Sequence, residues 1–330
     1  MKDAFQIPSP VEAVAFAPFT AAGIAVHVKR DDKIHPAISG NKWRKLKYNI
    51  AAIQQAGAPG FITFGGAFSN HLAACAFVAN SHNLHMIALV RGLEQGITNP
   101  TLNFLQQCGV TVIGITRSDY NLKSEPEFLE TIQQTYPGYV IIPEGGANLP
   151  GIKGCMEILH EVPETFDYVA APVGTATTFT GLLLSGYPAK KFLGFPAVRG
   201  GAYLEYDVKN FIAQAKHTDW LPTTFTPPAW RLVTDYHFGG FGKVTPELIA
   251  FMNRFYAEAD IPLDPVYTAK MVFGLTQMAA NGAFEKGSSV LVVHTGGLQG
   301  IIGMNQRLRK KNLRIDYEEA IAHPFPAPPY

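Results

Sequence analysis

The chain has 330 residues, of which 47% are hydrophobic and 16% charged, with 27 Lys plus Arg against 26 Asp plus Glu and a net charge of +1. Charged residues usually make up about a quarter of a soluble chain, so this sequence is too apolar for disorder. Its near-zero net charge gives no general footprint for nucleic acid or an anionic membrane. No apolar run reaches the roughly 20 residues of a membrane span. The N-terminus lacks the apolar stretch of a signal peptide, so a soluble cytoplasmic protein is expected. Cys75, Cys108 and Cys155 are far apart, which predicts neither a disulfide framework nor a zinc site, and no metal is expected. At roughly 150 residues per domain the length suggests two domains, or one large one.

The predicted elements follow one theme: a short apolar run, a glycine-rich turn, then helical periodicity. A helix begins around Lys42. Strand 61–64 leads through the 65–70 turn into helix 71–80. Strand 85–90, helix 98–107, strand 110–115, helix 125–135 and strand 139–142 follow. Helix 152–162 precedes strand 168–173, and a further helix starts near Phe179. Beyond it come strand 191–195, helix 203–216, a Pro/Thr-rich connection at 218–228, strand 231–234, helices 246–259 and 269–282, and strand 290–294. Basic residues 307–311 end a last helix, where cations complement the dipole, and a Pro-rich tail closes the chain at 323–330. Continuous apolar strands alternating with helices predict parallel sheets covered on both faces. Ligands of such sheets bind at the strand C-termini.

Five stretches could carry chemistry. In the segment from Ser39 to Lys45 a glycine turn precedes a helix whose Lys42 can lie over a pocket. A desolvated lysine beside other cations, here Arg44, Lys45 and Lys47, has a depressed pKa and can act as a nucleophile. From spacing alone, a solvated basic first turn is the plainer reading. The Gly174, Thr175, Ala176, Thr177 and Thr178 loop follows a strand and opens a helix. Free N–H groups and hydroxyls make it a phosphate cradle or an ordinary capped turn. It has neither the P-loop lysine nor a full GxGxxG. Ser69 and Asn70 sit at another strand-to-helix turn, where they can cap the helix or meet a carboxylate. Tyr267, in the 263–268 segment, is a core aromatic or a ring-stacking residue. His294 reads as a core histidine, and Thr295 falls at the functional edge of the sheet.

Together these stretches resemble pyridoxal-phosphate (PLP) enzymes of the tryptophan-synthase-β-like fold (fold type II). The likeness is to the branch holding 1-aminocyclopropane-1-carboxylate (ACC) deaminase and D-cysteine desulfhydrase. The marks run in family order from Gly40-Asn-Lys-Trp-Arg-Lys-Leu46 through Ser69-Asn-His71, Pro143-Glu-Gly-Gly146, the 173–181 loop and the 263–268 segment to His294-Thr-Gly-Gly297.

The resemblance implies two open parallel-sheet α/β domains. The small one would be 50–154, and the large PLP-binding one would be 1–49 with 155–330. It further implies pyridoxal 5′-phosphate as cofactor, a small amino-acid substrate and a homodimer. Lys42 takes the place of the Schiff-base lysine, preceded by Asn41. Lys45 and residues 174–178 would hold the phosphate, and Asn70 the 3-hydroxyl. Ser69 would meet the substrate carboxylate and act near the α-carbon, with His71 beside it. Tyr267 would stack close to cofactor or substrate, and Tyr236 lies where the branch places another active-site tyrosine.

Thr268 and Thr295 stand where ACC deaminases carry Glu and Leu, and the D-cysteine desulfhydrases have Thr at both. A neutral hydroxyl near the pyridine nitrogen supports protonation less than a carboxylate, yet it suffices for elimination of a good thiol leaving group. The expected reaction is therefore αβ-elimination on a small D-amino acid such as D-cysteine. ACC deamination is the enzymatic alternative, and a non-catalytic PLP carrier or sensor is the alternative of another class. The chain departs from the family pattern at Ser39, Phe68, Ala73, Ala176 and 298–300.

Overall fold

A computed structural model describes residues 5–38, 40–93 and 99–321 of the chain. Ser39, the start of the expected 98–107 helix and the 323–330 tail lie outside the described residues.

The first elements are β1 (Val11–Ala13), α1 (Ala17–Ala21), β2 (Ala25–Lys29), α2 (Asn41–Gln55), β3 (Gly60–Gly66), α3 (Asn70–Ser81) and β4 (His85–Arg91). Next come α4 (Pro100–Gln107), β5 (Thr111–Ile115), α5 (Arg117–Asn121), α6 (Pro126–Thr135), β6 (Val140–Ile142), α7 (Leu149–His160), β7 (Tyr168–Val173) and α8 (Thr177–Leu184). The remainder are β8 (Lys191–Pro196), α9 (Leu204–Ala215), β9 (Trp230–Leu232), α10 (Pro246–Ala259), α11 (Thr268–Ala280), β10 (Ser289–Val293) and α12 (Gly300–Leu308).

The strands form two sheets. One has four strands in the order β5-β4-β3-β6, and the other six in the order β1-β2-β10-β7-β8-β9. All pairings are parallel except that of the three-residue edge strand β1, which runs antiparallel to β2. Strand alternation explains how each sheet is covered twice. In β3, Phe61 joins the apolar cluster of α2 and α3, while Ile62 and Phe64 join that of Tyr120 and Ile132. In β10, Val290 and Val292 face the α10 and α11 side, and Leu291 and Val293 the α7 and α8 side.

Local chemistry sets several helix starts. Thr245 accepts the Leu248 N–H and Pro246 opens the helix, so α10 occupies the span read from the sequence. Ser69 accepts the Leu72 N–H, which starts α3 at Asn70.

Helices α2 and α7 cross closely at Gly154, where an added Cβ would stand 1.8 Å from the Arg44 carbonyl oxygen. The expected boundaries at 49/50 and 154/155 fall inside these two helices. Among the described residues no helix is long and apolar enough to cross a membrane.

Candidate active site

A cavity of about 470 Å³ opens where the C-terminal ends of β3, β4, β6, β7 and β10 converge, so both sheets wall it. The first turn of α2 supplies Asn41, Lys42 and Lys45.

Lys42 and Lys45 lie one turn apart on one helix face. Lys42 Nζ donates to Asn41 Oδ1 at 2.8 Å, and Asn41 Nδ2 donates to Thr178 Oγ1 at 2.9 Å. Lys45 Nζ donates to Thr175 Oγ1 at 3.3 Å. Among the described residues neither lysine contacts a carboxylate.

Burial pulls Lys42 below the ordinary lysine value. Burial and the charge of Lys42 pull Lys45 down to about 7. Arg44 and Lys47 do not act as the sequence suggests. Arg44 points away into Asp31 and Glu161, and Lys47 pairs with Glu157 at 2.8 Å. Their charges are neutralised locally, so desolvation is what depresses Lys42.

The loop from Gly174 to Thr178 faces these lysines. Ala176 takes the left-handed conformation at φ 59°, which favours glycine, and it is the cap residue of α8. Gly174 lies against the Tyr267 ring, where an added Cβ would come within 3.1 Å of Cε1. Burial also raises the Tyr267 phenol, which therefore stays neutral.

Ser69, Asn70 and His71 wall the other side of the cavity. His71 is 2.8 Å from the Thr63 hydroxyl through Nε2. Burial, then the charges of Lys42 and Lys45, push its pKa well below the ordinary value, so it is neutral.

Three expected residues stand elsewhere. Thr268 is fully buried off the cavity wall, where its hydroxyl donates to Asp264 Oδ1 at 2.9 Å within the cap of α11. Thr177 is likewise buried, and its hydroxyl is engaged by Thr175. Tyr236 packs over Gly274 and beside Phe273 on α11 instead of reaching the cavity.

Thr295 does reach the wall, and its carbonyl accepts the Asn41 N–H at 3.3 Å. His294 is a core residue: Nε2 donates to the Pro262 carbonyl at 2.7 Å and Nδ1 accepts the Gly296 N–H. Asp264, Phe241, Lys243 and Arg307 also wall the cavity. Sequence reasoning missed them because their contacts come from distant turns, although the Asp-Pro pair at 264–265 signals a capping turn.

A half-buried lysine on the wall, a hydroxyl-rich helix start and strand-end loops are the parts with which an enzyme can fix a phosphorylated cofactor through an amine. The model of the family "Pyridoxal-phosphate dependent enzyme" matches residues 6–296, and the chain belongs to that family. A putative ACC deaminase of Pyrococcus abyssi is 30% identical over 296 residues, covering 87% of this chain and 88% of the relative. A D-cysteine desulfhydrase of Klebsiella pneumoniae is 29% identical over 314 residues, covering 87% and 90%. The solved structure of an ACC deaminase homologue superposes with a TM-score of 0.79 at 27% identity, covering 93% of this chain and 94% of the other. The fold is thus the tryptophan-synthase-β-like one.

The cavity fits the cofactor. Two lysines, Lys45 buried and Lys42 half-buried, have no carboxylate partner among the described residues and face a hydroxyl-rich loop at a helix N-terminus, a setting that suits a phosphate dianion. Any side chain at position 174 would press on the Tyr267 ring at the cavity wall.

Proposed function

We propose that the protein catalyses αβ-elimination on a small D-amino acid, with D-cysteine yielding pyruvate, sulfide and ammonia. The observation that carries this reading is the convergence of Lys42, the 174–178 loop and Ser69-Asn70 on one cavity.

Pyridoxal 5′-phosphate, when bound, supplies an electron sink for the charge left when a proton leaves the α-carbon. Lys42 would carry the cofactor and, once displaced by the substrate amine, would take the α-proton. Its burial favours the neutral amine that this base must be. Lys45, with Gly174, Thr175, Ala176 and Thr178, would hold the phosphate. Asn70 would meet the cofactor's 3-hydroxyl, and Ser69 the substrate carboxylate. Tyr267 would flank the site. His71, being neutral, would add no cationic charge next to Lys42.

Thr295 on the wall, in place of the Leu of ACC deaminases, favours thiol elimination over cyclopropane opening. ACC deamination is retained as a second reading because the Pyrococcus abyssi relative carries that name. The same proposal includes a division into domains 50–154 and 1–49 with 155–330, a homodimer, and cytoplasmic residence without nucleic-acid or membrane partners.

Purified cofactor-loaded enzyme given D-cysteine should release sulfide and pyruvate. Release of 2-oxobutanoate from ACC with silence toward D-cysteine would reverse the order. Bound cofactor with no spectral response to any amino acid would mark a carrier or sensor.

A further inference from the structure

Residues 236–243 run along one face of α11 towards the cavity mouth. Tyr236 lies over Gly274, Phe238 meets the edge of Phe273 at 4.9 Å between ring centroids, and Phe241 meets Tyr267 at 5.9 Å. Phe273 and Gly274 lie three and four residues beyond Lys270 on α11, and Tyr267 is the cap residue three before it, so these contacts run along one side of the helix and its start. The rung between the aromatic ones is Lys270, 2% exposed. Its Nζ donates to the Gly240 carbonyl at 2.8 Å and to the Ala197 carbonyl at 3.3 Å.

Ala197 in turn donates its N–H to the carbonyl of Val173, on the cavity wall. Lys270 therefore ties the 236–243 segment to the same wall that begins the 174–178 loop. The end of the segment puts Phe241, itself 55% exposed, and Lys243 on the cavity. Among the described residues Lys270 makes no ion pair. A buried ammonium held only by carbonyls is a poor stabiliser, because desolvation opposes its hydrogen bonds. What such an arrangement does well is fix direction and distance.

We propose that Lys270 is a positioning residue: its bonds to the Gly240 and Ala197 carbonyls set how the 236–243 segment stands over the cavity, and so where Phe241 and Lys243 meet the side chain of the amino acid. The substrate part of this rests on the reading of the cavity as an amino-acid site.

The test is hydrogen exchange of peptides covering 236–243 in the cofactor-loaded enzyme, corrected for intrinsic rates, from pH 7 to 9. Burial pulls Lys270 down to about 8, against the attraction of Asp264. An opened segment would hydrate the amine and return it towards the ordinary value of 10.5, so opening takes up a proton. By linkage, opening becomes less favourable as pH rises, by about tenfold between pH 7 and 9 for a full return.

Wild type should gain that protection, Lys270→Met should show none of the gain, and at pH 9 the variant should be the less protected of the two. Asp264 before α11, Arg199 against Gly240, and His237 and Lys243 on the segment all remain in Lys270→Met. A pH dependence that survives the substitution belongs to them and overturns the proposal, as does a flat wild-type profile. With D-cysteine at pH 8, Lys270→Met should raise KM more than it lowers kcat while keeping borohydride trapping at Lys42. The exchange arm needs no substrate, so silence toward D-cysteine would sink the proposed reaction and leave the Lys270 test standing.

Discussion

The Lys45 ammonium of α2 reaches the Thr175 hydroxyl at 3.3 Å, joining the first turn of one helix to the loop that opens another 130 residues later. Burial and Lys42 hold this lysine at about 7 in the cofactor-free protein. A bound phosphate dianion raises it, so the attraction is fully present below about pH 7 and is lost as pH rises, by at most about tenfold per unit. Pyridoxine 5′-phosphate has no aldehyde to react with Lys42, and a phosphomonoester is already a dianion above pH ~6. Calorimetry on the cofactor-free protein should show its affinity falling between pH 7 and 9. In Lys45→Ala the affinity should be weaker throughout, with a shallower slope. A level wild-type profile would count against the phosphate role of Lys45.

Beneath the lysine face, Arg44 donates to both Asp31 and Glu161, and Lys29 Nζ donates to Glu161 at 2.7 Å and to the Ser9 carbonyl at 2.6 Å. Arg44→Met removes one cation from a buried, closed network, so unfolding in urea should show a loss of about 3–5 kcal/mol. Although burial pushes Glu161 up, its Arg44 and Lys29 partners hold it below the ordinary value of 4.5. Its contribution is therefore present above that pH and lost as pH falls through the depressed value. Arg44→Met should flatten this part of the acid limb.

Gly154→Ala would place a methyl 1.8 Å from the Arg44 carbonyl, backbone that cannot yield without moving α2. The expected cost is about 1–3 kcal/mol, read as a lower melting temperature. Bound cofactor per chain should fall with it, because the same helix carries Lys42 and Lys45.

Thr268 and Thr295 separate two roles that look alike in sequence. Thr268→Val removes the hydroxyl that meets Asp264 and should cost about 1–3 kcal/mol without moving the cofactor's absorption maximum. Thr295→Val alters the cavity wall and should move the maximum with little effect on unfolding. The reverse pattern would restore Thr268 as the cofactor contact.

Much of this architecture is legible in the chain because apolar runs such as 61–64 and 85–90 are bounded by glycine-rich turns and helical periods. Strand β1 has three residues and β2 is interrupted by His27, so neither carries a strand signal; the five-residue α1 and α5 are too short for a period. The direction of a side chain is not legible. Thr268 turns inward because the Asp264 carboxylate caps α11, and Arg44 turns away from Lys42 because Glu161 waits 117 residues along. Tyr236 lies in the expected segment, but the rung that reaches the cavity is Phe241, five residues on.

The cofactor is expected on Lys42. Borohydride reduction of the cofactor-loaded enzyme, followed by peptide mapping, should find a single pyridoxyl group on Lys42, and Lys42→Ala should abolish it. Labelling of Lys45 or Lys270 in its place, or no labelling of an enzyme that holds the cofactor, would show that Lys42 does not carry it.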